Sequence, residues 1–197
     1  MSEGTSWQRT AKRIRVPMGF VVAVAFLVLA RPTGKTMLLS LLLVLPGLWL
    51  RGYAAGYVKK NQELTTTGPY GYTRNPLYLG SLGIALGFAL ASGSWWILAG
   101  IVGAFAAIYT PTIRGEEGYL RGRFGAEFDA YVARVPRLLP RVTPGMKSAA
   151  AGGVRERSFD PQRYLHHREY NAGMGAGAIY LLLVLKAWLG WKGFGVW

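Results

Sequence analysis

Apolar residues in this chain gather in long unbroken runs: 16–30, 35–58, 77–91, 94–113 and 173–190. Runs of this kind predict helices that are oily all round, either buried or crossing a bilayer, since a hydrocarbon core of ~30 Å takes about 20 helical residues. The run 77–91 gives only about 22 Å of helix, so it spans only if its ends extend or the bilayer thins. The first run follows basic residues as a signal peptide would. No small-x-small cleavage site precedes Arg31-Pro32, however, and a second long run follows at once, so it reads as a span.

The breaks between runs are equally informative. Ser92-Gly93-Ser94 is so short a connection that the third and fourth helices must pack antiparallel, with their outer ends on one side. Pro46-Gly47 predicts a kink in the second helix. Pro76 suits the first position of a helix, where a missing N–H costs nothing, and Thr65-Thr66-Thr67-Gly68-Pro69 reads as a tight turn before it. After Ile113 the pattern becomes amphipathic. Leu120, Phe124, Phe128, Tyr131 and Val135 recur three or four apart with Arg121, Arg123, Glu127 and Asp129 between them, as in a helix lying at the membrane surface or across a bundle. Residues 148–153 look like a flexible linker, and a basic stretch then leads to the last run. The expectation is an all-α polytopic bundle of about five transmembrane helices with a cytosolic amphipathic helix. Its parts are a core over 1–145, a linker and basic interfacial segment over 146–170, and an added C-terminal transmembrane helix over 171–197.

Composition supports a lipid setting: 51% of residues are hydrophobic, 16% are charged, and mean hydropathy is +0.22. With no cysteine and two histidines, thiolate and multi-histidine metal centres are excluded, and no metal is expected. A net charge of +14 would suggest nucleic acid in a soluble protein, but its placement argues otherwise. If the runs span alternately, 19 of the 23 basic residues and all nine acidic ones fall on one face, leaving Arg31, Lys35, Lys186 and Lys192. By the positive-inside rule that face and the amino terminus are cytoplasmic, which predicts an integral protein of a bacterial inner membrane that attracts anionic lipids and binds no nucleic acid.

Two polar clusters then attract interest. Arg74-Asn75 sits at a helix amino terminus, a place suited to an anionic group; alternatively it anchors lipid phosphates. Glu116-Glu117 follows the fourth run and should meet it. Adjacent helical carboxylates diverge by about 100°, so one of them is expected to face a given pocket. Their other reading is a solvated turn partnered by Arg114, Arg121 or Arg123. Tyr70, Tyr72 and Tyr78 fit an interfacial aromatic belt as well as a site.

The stretch Gly68-Pro69-Tyr70, then Arg74-Asn75-Pro76-Leu77-Tyr78-Leu79-Gly80, followed by Glu116-Glu117-x-x-Leu120 and Phe124-Gly125, closely resembles the integral-membrane isoprenylcysteine carboxyl methyltransferase family and its phospholipid methyltransferase relatives. The resemblance covers roughly residues 64–140, with Tyr131, Val135, Pro136 and Pro140 fitting the closing pattern. It implies an S-adenosylmethionine-dependent enzyme whose cofactor lies at the cytosolic helix ends and whose lipophilic or lipid-linked acceptor enters from the bilayer. Tyr70, Arg74, Asn75 and Tyr78 would line the cofactor site, and Glu116 and Glu117 would bind its ribose or amino group. Arg114, ahead of the carboxylates, would orient an acceptor carboxylate, and Arg114 and Glu117 are the catalytic candidates. The family's Arg-His-Pro is here Arg74-Asn75-Pro76, which removes an ionisable group and with it proton transfer at that position.

Methyl transfer from a sulfonium is an in-line displacement that asks for alignment and dryness more than for a strong acid. A carboxylate acceptor is already deprotonated at neutral pH, whereas an amine needs a base. The glycine-rich pieces 83–87 and 173–177 lie in apolar helices and do not follow a strand, so they read as close helix packing and not as a dinucleotide fingerprint. Gly173-x-x-x-Gly177 could also support a homodimer. His166 and His167 read as an interfacial pair near Glu169, or as a base reaching the pocket. The competing functions are phospholipid amine N-methylation, a more distant nicotinamide-dependent membrane reductase, and a non-catalytic scaffold or lipid binder.

Overall fold

The computed structural model describes residues 24–58, 63–145 and 159–190. Most of the first apolar run, the basic residues before it, Lys59, Lys60 and the expected linker over 148–153 lie outside the described residues. The chain is helical over 24–29 (α1) and then forms α2 (Gly34–Tyr57), a 3-10 turn (Gly68–Gly71), α3 (Pro76–Ala91), α4 (Trp95–Phe124), α5 (Ala126–Arg134), α6 (Pro161–His166) and α7 (Tyr170–Trp188). The described residues hold no strand. α2, α4 and α7 are long and apolar enough to cross a membrane, whereas α3 is shorter. Of the five spans expected from sequence, three meet the length among the described residues, and most of the first lies outside them. At 16 residues α3 is about 24 Å long, close to the sequence expectation.

Thr33 starts α2 with a reciprocal capping box: its hydroxyl accepts from the Thr36 amide at 3.2 Å and its own amide donates to the Thr36 hydroxyl at 3.0 Å. The helix runs through Pro46 without ending. α2 and α3 pack closely through glycine. A Cβ on Gly47 would lie 2.7 Å from the Gly80 carbonyl oxygen, and one on Gly87 would lie 3.0 Å from that of Ser40, so bare backbone sets the helix spacing. Around this pair Val44, Phe88, Ala91, Ala176 and Leu183 form the main core. Gly93, at φ +63, makes the α3–α4 corner, tied to the amino-terminal side by the Arg31 amide on the Ser92 carbonyl at 2.7 Å.

α7 is fastened to this bundle at several depths. Tyr180 and Ser40 share a hydrogen bond of 2.5 Å, and the Lys186 ammonium donates to the Leu27 and Val28 carbonyls at 2.5 and 2.8 Å, satisfying the end of α1. Gly173, Gly175 and Gly177, expected to mark close packing, face open space within the protomer.

α4 differs from its sequence reading. It does not stop near Ile113 but continues to Phe124, carrying Glu116 and Glu117 inside one helix of 30 residues, about 45 Å long. That exceeds a hydrocarbon core, so one end stands clear of it. The expected amphipathic helix is split instead at Gly125, whose φ of +48 suits glycine, and α5 folds back. The apolar stripe still does its work: Phe128, Tyr131 and Val135 form a second small core with Leu64, Leu120 and Phe124. Beyond α5 the chain returns alongside residues 71–74. The Arg74 amide donates to the Pro136 carbonyl at 2.9 Å, Arg141 to Tyr72 at 3.0 Å and Gly145 to Gly71 at 2.8 Å.

Candidate functional site

A cavity of about 500 Å³ opens where the end of α2, the 3-10 turn, the start of α3, the last turns of α4, α5 and the start of α7 converge. Tyr70, Arg74, Asn75, Tyr78, Glu116 and Glu117 all line it. The short α3–α4 corner at the far end is what brings residues forty apart in sequence to one place. Both carboxylates border the cavity, although only one was expected to. Tyr78 from α3 brackets one side of the α4 arc and two arginines bracket the other, so the 100° divergence falls across the opening.

Glu117 is the electrostatic centre. Its side chain is 12% exposed and takes Arg74 Nη2 at 3.3 Å and Arg137 Nη2 at 2.8 Å. Arg137 Nε adds a second contact at 3.0 Å, giving the forked geometry that guanidinium and carboxylate favour. The Arg74 side chain is only 9% exposed, and its Nε is buried with no hydrogen-bond partner among the described residues. Burial pulls the Arg74 guanidinium below its usual pKa, with Glu117 opposing and Arg137 adding to the fall. Glu117 in turn holds the Arg137 guanidinium above its usual value.

Glu116 has a different environment. It accepts a hydrogen bond of 2.6 Å from the Tyr78 hydroxyl, and Tyr78 rests edge-on against Tyr109 at 5.3 Å. Tyr70 is buried; burial pushes its hydroxyl above the usual tyrosine range, and its carbonyl accepts from the Tyr131 hydroxyl at 2.7 Å. Asn75, preceding Pro76, spends its side-chain amide on the Arg137 carbonyl at 2.9 Å. Tyr70 and Asn75 therefore shape the wall, Tyr70 holding α5 to it and Asn75 the returning segment 136–145. Arg114 is exposed on α4 and is not among the residues lining the cavity, and neither histidine lines it.

Three residues absent from the sequence reading of the site belong to its structure. Arg51 and Glu169 line the cavity and form an ion pair at 2.9 Å, while Arg137 grips Glu117 from outside the lining. Arg51 carried a readable signal, as a charge within an apolar run. Arg137 carried none, because its position depends on the reversal after α5. Among the described residues no three His, Cys, Asp or Glu side chains are grouped as a metal site would need.

Residues 35–127 match the family model described as phospholipid methyltransferase. The chain is 38% identical over 96 residues to the nickel-cobalt-cadmium resistance protein NccN of Alcaligenes xylosoxydans xylosoxydans, covering 49% of this chain and 44% of that protein. It is likewise 38% identical over 96 residues to the cobalt-zinc-cadmium resistance protein CzcN of Cupriavidus metallidurans, covering 49% of this chain and 43% of that one. The match thus spans less than half the length of either relative. No solved structure matches. The family-matched segment contains α2 but for its first residue and α3 and α4 whole, with both polar clusters, and ends within α5. Residues 35–127 are therefore a domain of the phospholipid methyltransferase family, in the isoprenylcysteine and phospholipid group of membrane methyltransferases.

Proposed function

We propose that this chain is an S-adenosylmethionine-dependent membrane methyltransferase acting on a lipophilic or lipid-linked acceptor, with the cofactor held in the cavity between Arg74 and Glu116. One observation carries the reading. Two clusters distant in sequence line a single cavity of about 500 Å³, within the range of cofactor sites, and its wall includes a guanidinium buried to nine-tenths with one donor unspent.

The donor set suits that molecule. Arg74 offers its unpartnered Nε to a carboxylate. Glu116, oriented by the Tyr78 hydroxyl, offers acceptors to an ammonium or to ribose hydroxyls. Leu64, Leu120 and Phe128 give an apolar wall for a purine. Glu117, saturated by Arg74 and Arg137, acts as a positioning residue that aims Arg74. When bound, the cofactor supplies an electrophilic methyl on a sulfonium. The chain's own contribution is then alignment and exclusion of water, to which α5 contributes Phe128 and Tyr131 in the cavity wall.

The acceptor class has two readings. A carboxylate needs no base. An amine headgroup does, and Glu116, whose described partner is a hydroxyl and not a guanidinium, is placed to take its proton. The matched family's description favours the amine. The relatives' names speak of resistance to nickel, cobalt, zinc and cadmium, whereas the cavity's described donors are guanidinium–carboxylate pairs.

The test is equilibrium binding of radiolabelled S-adenosylmethionine to the full chain in lipid nanodiscs, with NADPH as the competing nucleotide. Saturable binding of the former alone is expected. The double variant Glu116→Gln, Glu117→Gln should lose both the binding and the ligand-dependent thermal shift; a shift that survives it removes these residues from the site.

A further inference from the structure

The α7 helix starts at the cavity. Glu169 precedes it, and the residue before that, Arg168, has φ +52, the one non-glycine in the left-handed region among the described residues. That turn directs the Glu169 carboxylate onto Arg51 in a two-pronged pair, Nε to Oε2 and Nη2 to Oε1, both at 3.0 Å. The remaining arm of Arg51 donates to the Ser81 hydroxyl and lies 3.5 Å from the Leu77 carbonyl. Room for the Arg51 stem comes from Gly80, where a Cβ would lie 2.7 Å from Arg51 Cγ. Arg51 lies inside the family-matched segment and Glu169 well outside it, yet both line the same cavity.

Without Glu169 the cavity wall would present two guanidiniums, those of Arg51 and Arg74, of which only Arg74 has another carboxylate in contact. We propose that Glu169 is a specificity-determining residue of the cavity: by neutralising Arg51 it admits a ligand bearing a positive sulfonium, which the bare guanidinium would repel, whereas the uncharged thioether product is nearly indifferent to the pair. The C-terminal helix is thus a working part of the site and not an appendage to it. This rests on the S-adenosylmethionine reading above. Its chemical consequence is direct. Transfer of the methyl group leaves a neutral thioether, so the charge state of Arg51 bears on binding of the charged ligand and hardly on release of the product.

The test compares affinities of the full chain for S-adenosylmethionine and S-adenosylhomocysteine by isothermal titration in nanodiscs. Glu169→Gln leaves Arg51 uncompensated and should weaken the sulfonium ligand about tenfold while changing the thioether less than about twofold, as expected for one unit charge several ångströms away at an intermediate dielectric. Arg51→Gln should move the ratio the other way. The double variant should return it to near the wild-type value, although it lacks the pair. The Tyr180–Ser40 and Lys186 contacts keep α7 docked in all three. Parallel loss of both ligands, or an unchanged ratio, makes the pair purely structural and overturns the proposal. Failure of the unaltered chain to bind either ligand instead removes the methyltransferase reading, and this inference with it.

Discussion

Arg137 holds Glu117 in a forked ion pair, 2.8 Å from Nη2 and 3.0 Å from Nε, across twenty residues of sequence. Arg74 shares the same carboxylate at 3.3 Å. The two arginines are not equivalent, because Arg137 is 49% exposed and Arg74 9%. Glu117→Gln should therefore cost about 3 kcal/mol, since it leaves the Arg74 guanidinium buried without a charge partner. Arg137→Gln should cost no more than about 1 kcal/mol, the usual range for an exposed pair. Reversible unfolding of both variants in detergent, followed by tryptophan fluorescence, gives the comparison. Equal costs would mean that Glu117 serves the returning segment and not Arg74.

The Tyr78 hydroxyl orients Glu116 without neutralising it. Under the proposed function, Glu116→Gln should weaken S-adenosylmethionine by tenfold or more, the order expected for a hydrogen bond to a charged group. Tyr78→Phe keeps the charge and loses only its orientation, so a loss of about threefold to tenfold is expected. Titration of both variants ranks them; a larger effect in Tyr78→Phe would mean that the tyrosine, not the carboxylate, touches the ligand.

The α2–α3 contact sets the frame on which Arg74 and Tyr78 sit. Gly47→Ala places a methyl 2.7 Å from the Gly80 carbonyl oxygen and 3.0 Å from the Ile84 amide nitrogen, backbone atoms that cannot swing aside as the Ile84 side chain can. A loss of about 1–3 kcal/mol is expected from such overpacking. Gly100→Ala meets nothing within 4 Å and should leave stability unchanged or raise it slightly through helix propensity. Melting temperatures of the pair measured side by side test whether bare backbone is required at Gly47.

Burial raises the Tyr70 and Tyr131 hydroxyls above the ordinary tyrosine value in the folded chain. Both groups stay protonated when folded while the unfolded chain ionises them near pH 10. Their contribution to stability is thus complete below about pH 10 and is lost as pH rises beyond it, by up to about 1.4 kcal/mol per pH unit for each. Tyr131→Phe loses the 2.7 Å bond to the Tyr70 carbonyl and is less stable at neutral pH, but its stability should fall less steeply above pH 10. Denaturant midpoints between pH 8 and 11 measure the two slopes.

Much of the site was legible in the linear chain. The Ser92-Gly93-Ser94 corner placed the Arg74 and Glu116 turns at the same end, and the three-to-four spacing of Phe128, Tyr131 and Val135 named a buried face correctly. Boundaries were less readable. Nothing between Ile113 and Phe124 forbids helix, so α4 continues through Pro111 and past the expected end, and Gly125 breaks what periodicity alone would join. Pro46 suggested a kink, and the helix runs on through it without ending.

What the sequence alone determined follows from local chemistry: runs of apolar residues that must be helical, a turn too short to permit anything but a hairpin, and charges sorted to the ends of the rods. What only the tertiary structure decided is which charges meet. Arg137 reaches Glu117 because the chain doubles back after α5, and Glu169 reaches Arg51 because α7 docks against α2. Long-range ion pairs between flexible side chains have no periodicity to announce them. Their partners are set by packing of apolar faces elsewhere, so the cavity's composition was readable and its pairing was not.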